Sequence, residues 1–288
     1  MKRVLSVLLC FVLIFCILFS NFSAFAKSAN NVVTEKQRNN FYKHSAFIGS
    51  SLGQGQKYYF NRQGKGYLGS PVMLVQGSYS FYNDKKGLSK WMIHYKGKAM
   101  KAKDAVKKSG VKRVFINMGA NDFYYGADKV FKDYTDYVKG IRKVNPDVVI
   151  FIESTTGVTA SRQGTYLNTK NVKKLNKLME KYCSRNKDMY FIDVGSKLLD
   201  KKGHLKRKYA SDNYVHLTDS AYKIWTEEMI KYTDKLMLRE RNAKKAVRNA
   251  ERKKTAKSIK IAQKRLDALE DSTVKDELSE RLSKIIMN

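Results

Sequence analysis

Between Lys43 and Met237, short apolar runs alternate with longer stretches whose apolar residues recur at helical spacing. Five runs read as strands: Ser45 to Gly49, Val72 to Gln76, Arg113 to Met118, Val148 to Glu153 and Met189 to Val194. Most are short and rich in Val, Ile and Phe, as strands covered on both faces of a parallel sheet are. Between them the periodicity predicts helices over Lys101 to Ser109, Asp128 to Val144, Thr169 to Ser184 and Thr218 to about Glu240. Gly110 and the pair Asn145-Pro146 end two of these. Strand and helix in alternation specify an α/β fold, a three-layer α/β/α sandwich around a five-stranded parallel sheet. Ligands of such sheets bind beyond the carboxyl ends of the strands, so the residues that follow each strand are where chemistry is expected.

The two ends of the chain have different patterns. Lys2 and Arg3 precede an apolar run from Val4 to about Ser20, and Ala24-Phe25-Ala26 supplies small residues before Lys27. Residues 1–26 therefore read as a secretory signal peptide, with an uncleaved membrane anchor as the alternative because the run approaches the ~18 residues that span a bilayer. Residues 27–42 read as a linker and 43–240 as the α/β domain. Beyond it, 241–288 read as a small helical extension of three segments. The first carries Ala243, Ala246, Val247 and Ala250; the second, capped by Thr255, carries Ile259, Ala262, Leu266 and Leu269; the third, capped by Ser272, carries Val274, Leu278, Leu282 and Ile285. This tail is similar to small helical modules of secreted Gram-positive proteins.

Charge and cysteine content change the picture in two ways. The 288 residues include 57 Lys and Arg against 26 Asp and Glu, a formal charge of +31. With 12% aromatic residues and two prolines, the chain is neither disordered nor collagenous. For an exported protein the candidate partners of such charge are anionic cell-wall polymers, lipid headgroups and acidic polysaccharides rather than nucleic acid, with a solvated basic surface that only confers solubility as the alternative, and no nucleic-acid-binding signature occurs. Membrane contact is expected only if the leader is uncleaved. From Arg241 to Ser258 eight basic residues face one acid, Glu251, which suits either polyanion adhesion or a plain solvated face. Without the leader only Cys183 remains, in a helical pattern with Val172, Leu175, Met179 and Tyr182. It is expected to be a small buried apolar residue, and no intramolecular disulfide is available.

The strand ends carry the chemistry. The first strand runs into Gly49-Ser50-Ser51-Leu52-Gly53, a serine at a strand-to-helix turn among glycines. The second ends in Gln76-Gly77-Ser78, whose glycine offers an unobstructed backbone N–H. The third delivers Gly119-Ala120-Asn121-Asp122, where a neutral amide can donate to a developing oxyanion and Asp122 can brace the loop. Ahead of the last helix lies Ser211-Asp212-Asn213-Tyr214-Val215-His216, a ring base with a carboxylate nearby. Ser50 competes with Ser51 for the role of nucleophile. Asp212 and Asn213 compete for the place behind the imidazole, Asp212 being preferred because an amide there holds the wrong tautomer. The remaining histidines, His44, His94 and His204, have no spaced partner, so neither a metal nor a cofactor is expected.

Together these blocks resemble those of the SGNH hydrolases, also called the GDSL esterase/lipase family, over roughly Lys43 to Tyr232. The resemblance implies a flavodoxin-like fold, Ser51 as nucleophile, His216 as base with Asp212 behind it, and an oxyanion hole from Ser51, Gly77 and Asn121. Two departures stand out: the family's Gly-Asp-Ser reads Gly49-Ser50-Ser51, and its Asp-x-x-His reads Asp212-x-x-x-His216. The expected activity is hydrolysis of small acyl, foremost O-acetyl, esters on carbohydrate or wall polymers by a secreted or wall-associated enzyme. The alternatives are acyl transfer by the same residues and a catalytically inactive wall-binding protein. Tyr58, Tyr59, Phe60, Tyr67, Tyr79, Phe81, Tyr82, Trp91 and Tyr95 form an aromatic-rich insert suited to sugar rings, of which two or three are expected to be exposed and the rest to pack the core.

Overall fold

Five strands, β1 (Ser45–Gly49), β2 (Val72–Val75), β5 (Arg113–Asn117), β6 (Val149–Glu153) and β7 (Met189–Ile192), form a parallel sheet in the order β2-β1-β5-β6-β7. The computed structural model describes residues 32–287. The leader expected at 1–26 lies outside them, and no described helix is long and apolar enough to cross a membrane.

Both faces of the sheet are covered, which is why its strands carry apolar residues in succession. On one face Ala46, Ile48, Val114, Ile116, Ile150 and Ile152 meet α4 (Ala102–Ser109), α5 (Gly126–Val144) and α6 (Thr169–Cys183). On the other, Phe47, Phe115, Phe151 and Tyr190 sit in register on adjacent strands and stack with centroids 4.8, 4.5 and 5.1 Å apart. This ring ladder packs against α1 (Glu35–Lys43), α2 (Ser51–Arg62) and α7 (Asp219–Lys253). Cys183 is buried on the opposite face, and burial pushes its thiol up to about 12, where it is inert. A short helix α3 (Phe81–Lys86) and a hairpin of β3 (Ile93–Tyr95) and β4 (Lys98–Met100) fill the β2–α4 connection.

Two boundaries differ from the sequence reading. Of the expected linker, residues 35–42 belong to α1. Its Phe41 and Tyr42 are buried against the ring ladder, Arg38 donates to Asp234 at 2.5 and 3.2 Å, and the Tyr42 hydroxyl meets Thr233 Oγ1 at 2.7 Å. The polar run Glu35 to Asn40 hides the helix, because only its last turn is apolar. At the other end, α7 passes through position 240 without a break, since no Gly or Pro interrupts it and Leu236, Ala243, Val247 and Ala250 continue one apolar stripe. It packs with α8 (Ala256–Asp267) and α9 (Thr273–Ile286) around Ala262, Leu266, Leu278 and Leu282. This extension docks on the α/β layers through Asp188, which accepts the Thr273 amide at 3.0 Å and donates its own to the Asp271 carbonyl at 3.1 Å. Residues 35–287 thus lie within one unit, from which 241–287 is not set apart.

Candidate active site

Gly49 closes β1 so near the following helix that a Cβ there would stand 2.9 Å from the Gly53 Cα. Only glycine lets α2 begin directly at the sheet edge, which puts Ser50 and Ser51 at the helix start. The two serines then diverge. Ser50 is buried and its carbonyl accepts the Gln54 amide at 2.9 Å, whereas Ser51 opens into a cavity of about 590 Å³. Ser51, not Ser50, faces the imidazole, with Oγ 3.0 Å from His216 Nε2.

Behind the ring, His216 Nδ1 lies 2.5 Å from Asp212 Oδ2. A carboxylate can only accept, so Nδ1 carries the proton and Nε2 is left to accept from the serine hydroxyl. The other oxygen, Oδ1, accepts the amides of Tyr214, Val215 and His216 at 2.9, 3.0 and 3.1 Å. Partial burial pushes the Asp212 carboxyl up, but the bonds from the His216 ring and from the Tyr214 and His216 amides outweigh it and hold the pKa below the usual carboxylate range. The extra residue in this block is absorbed by Asn213, whose backbone is left-handed at φ 58° and whose carbonyl accepts Thr159 Oγ1 at 2.7 Å. Asp212 rather than Asn213 therefore stands behind the imidazole.

Gly77 and Asn121 line the same cavity as Ser51 and His216. One amide hydrogen of Asn121 Nδ2 is spent on the Tyr79 carbonyl at 2.9 Å, which fixes the amide plane and leaves a second N–H to donate. Asp122 next to it is buried and accepts the Tyr82 amide at 3.4 Å, tying this loop to the one after β2. Burial raises its pKa to about 6, against the opposing pull of the Phe81 and Tyr82 amides. Among the described residues no three His, Cys, Asp or Glu side chains cluster as metal ligands would.

Two features were not singled out in the sequence. Tyr124, Tyr166 and Tyr214 line the cavity, with the Tyr124 and Tyr166 rings 4.7 Å apart at the mouth. The signal for Tyr124 was its position three residues after Asn121. The second is Glu153, which ends β6 fully buried and accepts from Trp225 Nε1 at 3.0 Å. Desolvation raises its carboxyl to about 7, partly offset by that hydrogen bond. Of the aromatic insert, Tyr58 and Tyr82 are exposed, Tyr59, Phe60, Tyr79 and Phe81 are buried, and the remainder are half-buried, as the sequence led one to expect.

Residues 47–224 match the model of the GDSL-like lipase/acylhydrolase family. No curated protein matches the chain. Among solved structures, a Streptococcus pneumoniae protein provisionally named a platelet activating factor aligns at TM-score 0.50 and 17% identity, over 69% of this chain and 92% of its own. A provisionally named acylhydrolase from Bacteroides fragilis aligns at TM-score 0.47 and 18% identity, over 66% and 86%. The C-terminal catalytic domain of a Streptococcus pneumoniae peptidoglycan O-acetyltransferase, carrying a methylsulfonyl adduct, aligns at 0.43 and 14%, over 65% and 90%.

Proposed function

The chain belongs to the GDSL-like lipase/acylhydrolase family and is a carboxylic ester hydrolase, and on that premise we propose that it cleaves small O-acyl esters, foremost O-acetyl esters of carbohydrate, through a Ser51-His216-Asp212 relay. Ser51 Oγ attacks the acyl carbon while its proton passes to His216 Nε2, and Asp212 stabilises the imidazolium that forms. The carbonyl oxygen becomes an oxyanion held by the N–H groups of Ser51 and Gly77 and the free amide hydrogen of Asn121. Collapse expels the alkoxide, which takes the proton from His216, and water then releases the acyl group from Ser51 by the same steps.

The observation that carries this reading is the pair of short contacts, 3.0 Å from Ser51 to His216 and 2.5 Å from His216 to Asp212. Such an aligned relay favours an enzyme over the inactive-binder alternative. A His216 side chain 46% exposed supports hydrolysis over acyl transfer, because water reaches the base. Polar groups of the lining, Ser78, Thr165 and the Tyr124, Tyr166 and Tyr214 hydroxyls among apolar residues such as Leu52 and Leu167, support a polar carrier for the acyl group. An exported enzyme working at an anionic wall fits the apolar leader sequence and the +31 charge.

The test is turnover of 4-nitrophenyl acetate. Ser51→Ala should abolish it, and Asn121→Ala should lower kcat by about 10² to 10³ through loss of one oxyanion donor. Full activity in Ser51→Ala would refute the mechanism, and an unchanged rate in Asn121→Ala would remove that residue from the hole.

A further inference from the structure

Beside the serine cavity lies a second one of about 460 Å³, and Ser78, Asn121 and Tyr124 line both. Its remaining wall includes the rings of Tyr82, Trp91 and Tyr125. Tyr82 is 53% exposed and Tyr125 63%, although elsewhere in the fold the aromatic residues are mostly buried. Two of these rings have close to the face a lysine that no described carboxylate pairs, Lys86 6.0 Å from the Tyr82 centroid and Lys90 5.2 Å from Trp91, whereas Lys129 beside Tyr125 is held in an ion pair by Asp133. The segment from Lys85 to Trp91 holds three lysines and no acid. Ser80, Asn83 and the buried Asp122 add hydroxyl, amide and carboxyl groups to the same wall.

Flat apolar ring faces with polar groups between them suit the C–H faces and hydroxyls of a pyranose. The ammonium groups of Lys86 and Lys90, beside the Tyr82 and Trp91 rings of this wall, suit a carboxylate or phosphate on that sugar. Exposed cation–π contacts are weak, so Lys86 and Lys90 can swing from the rings to an anionic ligand. Because Ser78, Asn121 and Tyr124 belong to both walls, the two cavities adjoin, and a chain whose ester carbonyl sits at Ser51 can extend onto these rings. We propose that the second cavity is a subsite for the adjoining sugar of an acidic polysaccharide, so that the enzyme acts on acyl groups of a polyanionic glycan chain rather than on free small esters. This rests on the ester-hydrolase reading and adds to it a substrate class and the residues that select it. Binding energy gained on the neighbouring sugar raises kcat/KM for the polymer without touching the reacting atoms.

The experiment compares the full chain with Tyr82→Ala/Trp91→Ala and Lys86→Ala/Lys90→Ala on three substrates: 4-nitrophenyl acetate, O-acetylated polygalacturonate and neutral acetylated glucomannan. Circular dichroism would check folding. The expected result is that wild type prefers the acidic polymer. The aromatic pair should lower the ratio of kcat/KM for that polymer to kcat/KM for the small ester on the order of tenfold, mainly through KM. The lysine pair should erase the preference for acidic over neutral polymer. A second readout uses fluorescence in Ser51→Ala: of two tryptophans Trp225 is fully buried, so acrylamide quenching reports chiefly on Trp91 and should diminish when the acidic polymer binds. An unchanged ratio in the aromatic variant, equal use of acidic and neutral polymer by wild type, or quenching indifferent to the polymer would overturn the subsite. Absence of small-ester turnover in wild type would instead overturn the reading beneath it.

Discussion

An imidazole serves as a base toward a serine only while one nitrogen is kept free of its proton, and here that depends on which residue backs the ring. Spacing alone left Asp212 and Asn213 in competition, because the one-residue excess over the family pattern is resolved by a backbone angle that no pattern displays. Asn213 takes the left-handed conformation, which Asn tolerates better than most residues, and so lets Asp212 fold back under His216. Ser51, Gly77 and Asn121 were legible because each stands right after a strand. Glu153 was not, since its character comes from what surrounds it. Its carboxyl protonates near 4.5 when exposed but near 7 in the fold, so between these values the native state keeps a proton that the unfolded chain releases. Stability contributed by this group is therefore present at low pH and lost as pH rises, by about 3 kcal/mol at pH 8. Glu153→Gln, whose carbonyl can still accept from Trp225, should flatten this decline in urea denaturation curves from pH 5 to pH 8. Parallel pH profiles for wild type and variant would show that the carboxyl ionises freely.

At the scale of elements, strands that are buried on both faces were readable within one or two residues, and so were helices with a strong apolar stripe apart from the far end of α7. The helices α1 and α3 and the hairpin of β3 and β4 were not, because they are short or polar and owe their form to tertiary contacts, and of α2 only the turn into it at Ser51 was. The helix that carries Ser51 is fixed by contacts with α7: the Tyr222 hydroxyl donates to the Leu52 carbonyl at 2.9 Å, and a Cβ on Gly55 would fall 2.0 Å from that hydroxyl oxygen. Tyr222 is buried and cannot swing aside. Gly55→Ala should therefore cost about 1–3 kcal/mol through overpacking, seen as a lower Tm, and should also slow ester turnover by shifting Ser51 from His216. A Tm equal to that of wild type would mean that the two helices are not in such close contact.

For the whole molecule, the three-layer fold and the strand-end constellation were visible in the sequence, whereas the boundary at 240 was not, since a helix that crosses from one core to another carries no local mark. Only Lys2, Arg3 and Lys27 of the chain's charged residues precede Glu35, so the unit of α/β layers and docked helices carries +28 of the +31 charge. Retention on an anionic polymer such as immobilised polygalacturonate should accordingly fall steeply from about 0.1 M to about 1 M salt, as the screening length contracts from ~10 to ~3 Å. Salt-independent retention would point to a specific uncharged contact instead. The central claim is that one particular hydroxyl becomes acylated because an imidazole removes its proton. The most direct measurement is peptide mass spectrometry after brief treatment with a fluorophosphonate. The account predicts a single phosphonyl adduct on Ser51, formed rapidly in wild type and not detectably in His216→Ala; an adduct on Ser50 or another residue, or equal labelling without His216, would contradict it.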